Sequence, residues 1–401
     1  MSRHLPPRAA FLLLASLTVS FLAGSSAPTP LYGVYMAEWG LTPLMIMVIF
    51  GIYALAVLLA LLIGGRLSDH LGRRPVLLAA TLAQAATMIV FVTAAGFTGL
   101  LVARVLQGLT TGAALGAIGA GMIDLNKSRG TVANAVAPPF GTATGAIVAG
   151  VLVQFLPFRT HLVYIVFGLV FIVQALGLVF MKDPISPQSG VWASLKPRLN
   201  LPRATHEPLL LAAPVLIAVW ALAGFYGALS PMLVKGMLGV NTPLVGGLAL
   251  FVVATVGGMA VLVLQNRPAR QMMMVGAATL IAGMAVVALS LPRSAIELFF
   301  LGSLLAGVGF GAGFQGAVRT VVPFAAPHER AGVLSIIFII SYIAMGVPAV
   351  AAGWMIASHG NIVATAQLFA AVIIGLASTA LLASLTRRGG LLRLEAQDTP
   401  V

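Results

Sequence analysis

The sequence contains no cysteine, so disulfides, thiolate metal sites and nucleophilic thiols are all absent, and the redox compartment leaves no trace in it. Charge is nearly as scarce. Asp, Glu, Lys and Arg together make up 8% of 401 residues, where a soluble domain carries about 25%. Such a chain lacks the polar surface that keeps a protein in solution, which excludes a soluble enzyme. Disorder is excluded as well, because 60% of the residues are apolar. Acids are scarcest of all, 9 against 22 basic residues. In a soluble protein the resulting net charge of +13 would suggest nucleic acid. Here no nucleic-acid partner is expected, since basic residues crowd the cytoplasmic loops of membrane proteins.

What the chain has instead is long apolar runs. A membrane-spanning helix takes about 20 apolar residues. Reading between polar breaks predicts twelve spans: 9–37, 44–65, 75–95, 98–123, 131–155, 161–181, 209–233, 243–264, 271–291, 295–318, 331–357 and 361–385. They are too long and too uniformly apolar for barrel strands. With the N-terminus cytoplasmic, eighteen Lys and Arg fall inside, among them Arg3, Arg66, Lys196, Arg198, Arg387, Arg388 and Arg393. Only Arg159, Lys235 and Arg293 fall outside, and Arg104 lies within a span. The expectation is a monomeric protein integral to a bacterial inner membrane, with both termini cytoplasmic. Arg3, Arg8, the run Ala9–Ala23 and the small residues Gly24, Ser25 and Ser26 also fit a secretory signal. A first span broken by Pro28 and Pro30 is favoured, because cleavage would leave eleven spans and spoil the charge asymmetry.

The longest polar stretch, 182–208, holds five prolines and four basic residues and predicts a cytoplasmic linker between residues 1–181 and 209–401, six spans each. Three landmarks repeat at offsets near 200: the first span of each half, the basic loops 66–74 and 265–270, and Arg129-Gly130 against Arg330-Ala331-Gly332. Repeated halves are characteristic of secondary transporters, which bind substrate between them.

The loop after span two reads Gly65-Arg66-Leu67-Ser68-Asp69-His70-Leu71-Gly72-Arg73-Arg74-Pro75. It resembles the signature loop of the major facilitator superfamily, with His70 the one departure. A tight turn suits Gly72, which tolerates positive φ. The resemblance implies an all-α fold of twelve transmembrane helices in two pseudo-symmetric six-helix bundles. It also implies that Asp69 meets the start of span eleven near Arg330, and that the loop arginine meets an acid at the inner end of span four, where Asp124 stands. Span four carries Arg104-Val105-Leu106-Gln107-Gly108, which resembles the superfamily's Arg-x-x-Gln-Gly element. That likeness implies an arginine facing the central cavity and linked to proton movement, although Arg104 is also close enough to the outer end to snorkel. Drug/proton antiporters of the superfamily carry a Gly-Pro step in span five. It is missing here, because Pro138 and Pro139 precede Gly141, Gly145 and Gly150.

Other chemistry finds little support. Residues 121–128 come one residue from a phosphate-binding loop, but Asn126 replaces its second glycine and no strand precedes it. The six histidines fall in loops or at span ends without metal-ligand spacing, so no metal and no cofactor is expected. None of the nine acids lies at mid-span. Glu38 and Glu297, at outer ends near the depth of Arg104, are candidates for proton coupling, which rests on the family resemblance, and either of them or cavity water is the expected partner of Arg104. In that family spans one, four, seven and ten line the cavity, so Tyr32, Tyr35, Gln107, Trp220, Phe225, Tyr226 and Gln315 are the substrate candidates. Aromatic groups with few charges suit a moderately hydrophobic or planar ligand. The expected partners are a small-molecule substrate, protons and the lipid bilayer. Proton-driven efflux of a small organic compound is the first reading, and proton-symport uptake the alternative. A non-transporting receptor or scaffold is a third reading, opposed by the intact loop motif.

Overall fold

A computed structural model of the chain describes residues 4–386, apart from 184, 186–188, 191, 193–194, 196–198 and 240–241. Of the basic residues that set the orientation, Arg3, Lys196, Arg198, Arg387, Arg388 and Arg393 lie outside the described residues. Among the described residues there is no strand. Twelve helical spans are long and apolar enough to cross a membrane. The first half contains α1 (Pro7–Ser26), α2 (Tyr32–Trp39), α3 (Pro43–Gly64), α4 (Leu67–Leu71), α5 (Arg73–Thr93), α6 (Gly96–Leu125), α7 (Lys127–Phe155) and α8 (Leu162–Val179). The second contains α9 (Arg203–Gly224), α10 (Ser230–Leu238), α11 (Pro243–Leu264), α12 (Ala269–Ser290), α13 (Ile296–Val321), α14 (Arg330–His359) and α15 (Ile362–Thr386). Each half is a six-span bundle, with α9 and α10 forming one span.

The spans start where the sequence offers caps. Thr42 Oγ1 accepts from Met45 N at 3.3 Å with Pro43 at the first helical position. Asn126 and Asn361 side chains cap α7 and α15 from the residues three places on, at 2.9 Å each. Inside a bilayer the backbone must satisfy itself, and the helices do so along their length.

Three boundaries differ from the sequence reading. Span one, expected over 9–37, stops at Ser26 and turns through 27–31 before α2 begins. Pro28 and Pro30 supply no N–H there and break the ladder. Span seven, expected over 209–233, runs from Arg203 to Leu238 and contains a π-helical turn, Phe225–Leu229. The predicted linker therefore gives up its last residues, from Arg203 on, to α9. The turn in span one and the π turn in span seven occupy corresponding places in the two halves, and they touch: Thr29 Oγ1 donates to Gly227 O at 3.0 Å.

The halves meet along two seams of close backbone approach. In the first, α3 packs on α14, where Gly51 faces Val350 and Gly346, and Gly353 faces Met47 and Leu44. In the second, α7 packs on α11, where Gly247 lies on the carbonyl of Ala146 and Gly150 on Leu244. These contacts begin at the ends of the helices far from the loops that carry Arg66, Arg73, Arg74 and Arg129, and in the second seam they run on to Gly258, which faces Phe140. Small residues at such seams let backbones approach where no hydrophobic force drives helices together.

Candidate substrate cavity

Between the seams and the basic-loop end lies a cavity of about 200 Å³. The first half contributes Ser25, Thr29, Phe50, Tyr53 and Thr142, and the second contributes Trp220, Tyr226, Phe314, Gln315 and Tyr342. No Asp, Glu, Lys, Arg or His is among the described residues lining it. One wall is aromatic. Trp220 lies 4.9 Å from Tyr342 and 5.7 Å from Phe314, centroid to centroid. Buried Trp220 Nε1 has no hydrogen-bond partner. Tyr226 is fixed by its hydroxyl, 2.7 Å from Ser303 Oγ. Asn134 and Val261 extend the lining toward the basic-loop end.

The residues expected at the cavity divide. Trp220, Tyr226 and Gln315 line it. Tyr32, Tyr35 and Phe225 are fully buried away from it. Tyr35 pairs with Tyr164 through hydroxyls 2.8 Å apart and stacks on Trp39, while Phe225 packs on Phe369. Gln107 donates to Gly24 O at 2.9 Å and accepts from Arg104 at 2.7 Å, one layer behind the wall. Gly108 lets α6 lie against α3, since a Cβ there would meet Ala56 and the Tyr53 carbonyl. The reading from spans one, four, seven and ten missed Tyr53 and Tyr342. They stand on spans two and eleven, whose seam closes the cavity. A tyrosine in the middle of an apolar span was the available signal.

Arg104 was expected to reach Glu38 or Glu297, or cavity water. The structure gives it neutral partners instead. Its guanidinium donates to Ser25 O at 2.8 Å, to Gln107 Oε1 and to the Tyr32 hydroxyl. It also lies 5.0 Å from the ring centre of Tyr53. The break after α1 explains this, because it turns the Ser25 carbonyl and Tyr32 toward α6. Glu38 and Glu297 are exposed at the helix ends. Arg104 is 1% exposed, so it does not snorkel to water.

The loop at the basic end is an ionic clasp. Arg73 joins Asp69 and lies 3.1 Å from Asp124. Asp183, which sequence reading passed over, accepts the backbone N–H groups of Arg73 and Arg74 at 3.1 Å each and so caps α5. Gly72 has φ +99°, and a Cβ there would strike the Asp183 carboxylate. Arg74 donates to Leu178 O at 3.2 Å and to Val179 O. Gly65 ends α3, where a Cβ would strike the Leu61 carbonyl. Asp69 was expected at the start of span eleven; no described bond joins it to Arg330, whose Nε donates to Ala325 O. Among the described residues no hydrogen bond or ion pair joins the halves at this end.

The sequence profile of the family described as Major Facilitator Superfamily matches residues 13–347. No curated protein matches the sequence. Solved structures do match in fold. A bacterial homolog to the human lysosomal transporter Spinster, in an inward-facing and occupied conformation, superposes with a TM-score of 0.74 at 14% identity, covering 98% of each chain. The POT family transporter PepTSo gives 0.72 at 13% identity over 98% of this chain and 99% of its own. The nucleoside transporter NupG gives 0.69 at 12%, over 94% and 99%.

Proposed function

The chain belongs to the Major Facilitator Superfamily, and on that premise we propose that it expels a small organic compound across the membrane by alternating access. The interface between the halves carries this reading. Among the described residues, one hydrogen bond, Thr29 to Gly227, crosses it, and no ion pair does. Everything else at the seams is packing. Two bodies joined in this way can rock about a central site without first breaking a polar network. The charge asymmetry makes the basic-loop end cytoplasmic. Asn134 and Val261 carry the cavity lining toward that end, as an exporter taking cargo from the cytoplasm requires. A nucleoside transporter shares the fold, which supports a small organic cargo.

The family resemblance adds proton entry as the driving force. With no carboxylate or imidazole among the described lining residues, a coupled proton would travel on Glu38, on Glu297 or on the cargo itself. The missing Gly-Pro step in span five favours uptake as the second reading. Inverted membrane vesicles containing the protein, offered a mixture of metabolites and drugs, should accumulate a compound that control vesicles do not, with proton movement out of the lumen. Accumulation only in right-side-out vesicles would replace export by uptake. No accumulation in either would leave a receptor or scaffold.

A further inference from the structure

Arg104 is a buried cation without an anion. Its partners are a carbonyl, an amide, a hydroxyl and aromatic rings, whereas Asp69 and Asp124 at the basic-loop end pair with Arg73. A guanidinium removed from water without a counter-charge is costly, and its field is weakly screened in an apolar interior. Only one layer separates it from the cavity. Ser25, which accepts its hydrogen bond, and Tyr53, whose ring it faces, both line the wall. No acid among the described lining residues cancels that field. A cation placed there meets repulsion, whereas an anion supplies the missing counter-charge. Across the cavity, Trp220, Tyr342 and Phe314 present ring faces and edges that suit a flat aromatic body.

We propose that the cavity selects a small planar aromatic anion, such as an aromatic carboxylate, and that Arg104 sets the sign of the charge it accepts. Arg104 acts through the wall without touching the cargo and is a positioning residue. The proposal rests on the reading of this cavity as the cargo site.

Three compounds of one shape test it: naphthoate, naphthamide and naphthylmethylammonium, an anion, a neutral compound and a cation. Calorimetry on the purified full-length protein should rank them in that order, with naphthoate at least tenfold tighter than the ammonium. Arg104→Gln should reduce the naphthoate-to-naphthamide ratio to twofold or less, and Arg104→Lys should preserve the order. A structural role alone would weaken all three ligands together and leave the ratios unchanged. The proposal is overturned if the ammonium binds as tightly as naphthoate, if Arg104→Gln keeps the acid preference, or if none of the three binds. Should Arg104→Gln fail to fold, the wild-type order and the lysine variant decide. Binding in the expected order without counterflow of naphthoate in proteoliposomes would keep the charge preference and overturn the transport reading.

Discussion

At the start of α5, Arg74 donates to the last carbonyls of α8; at the start of α12, in the second half, Arg270 donates to Ser384 O near the end of α15, at 3.1 Å from Nε. In both halves a cation closes the negative end of the last helix. Beyond that shared clasp the halves diverge. The first adds Asp69, Asp124 and Asp183 around Arg73. The second has Arg319 donating to the backbone oxygen of Gln265 at 2.8 Å. Buried polar side chains follow the same division. The first half buries Arg104, Gln84, Gln107 and Gln174, whereas the Asn-, Gln- and charge-free set in the second is serine and threonine. A six-span bundle therefore needs the cation at the helix end and close backbone packing. The carboxylates and the buried arginine of the first half are additions to that scaffold, and function is where they find a use.

The largest expected effect tests the part the halves share. A Cβ at Gly145 would strike the Ala23 carbonyl and Ser26, and one at Gly311 would strike the Gly257 carbonyl. Overpacking of this kind costs about 1–3 kcal/mol or more. Gly145→Val and Gly311→Val should each abolish a monodisperse peak on gel filtration. A normal peak for one of them would break the equivalence of the halves.

A smaller effect separates the clasps. Asp183→Ala leaves two N–H groups at the start of α5 without an acceptor and should cost roughly 0.5–2 kcal/mol, the usual value for a lost cap. Ser384→Ala keeps the carbonyl that Arg270 uses and loses only the Ser384 hydroxyl bond to Ala380 O, so it should cost about 0.5–1 kcal/mol. Thermal unfolding in detergent compares them, and equal losses would show that the carboxylate adds nothing to the clasp.

Thr29→Val removes the one described hydrogen bond between the halves. About 1 kcal/mol is at stake, a shift of roughly fivefold in the balance between open and closed seams. The chain has no cysteine, so Ala37→Cys and Ser358→Cys give two clean labels at the end far from the basic loops. Their distance distribution should gain a longer component in the Thr29→Val background. An unchanged distribution would mean that packing alone holds the seam.

Asp69→Asn should have the smallest effect on stability, within about 1 kcal/mol, since the side chain is 48% exposed and water screens the pair. Transport should nevertheless slow, because the second half lacks the aspartate and cannot replace it. Transport at the wild-type rate would reduce the loop to a topology signal.

The twelve spans were legible because apolar runs of the right length admit one interpretation in a bilayer. Asp69, Arg73 and Asp124 could be assembled from the family's loop. Asp183 could not, since nothing in a lysine-aspartate-proline step announces that it folds back on the start of α5. The partner of Arg104 was misjudged for a related reason. Charge counting looks for carboxylates, whereas the break at Pro28 and Pro30 frees a backbone carbonyl and turns a tyrosine inward. The same break placed Tyr32 and Tyr35 behind the wall. Backbone irregularity redirects side chains in ways a span assignment does not contain.

The near-absence of bonds across the seams also has a thermal consequence. Separating Gly51 from Val350, or Gly247 from Ala146, wets apolar surface and breaks almost no hydrogen bonds. The heat capacity should therefore rise on opening, and closure should draw mainly on the entropy of released water near 25 °C. Such closure weakens on cooling. The seams should loosen in the cold, at temperatures where a seam held by ion pairs would stay shut.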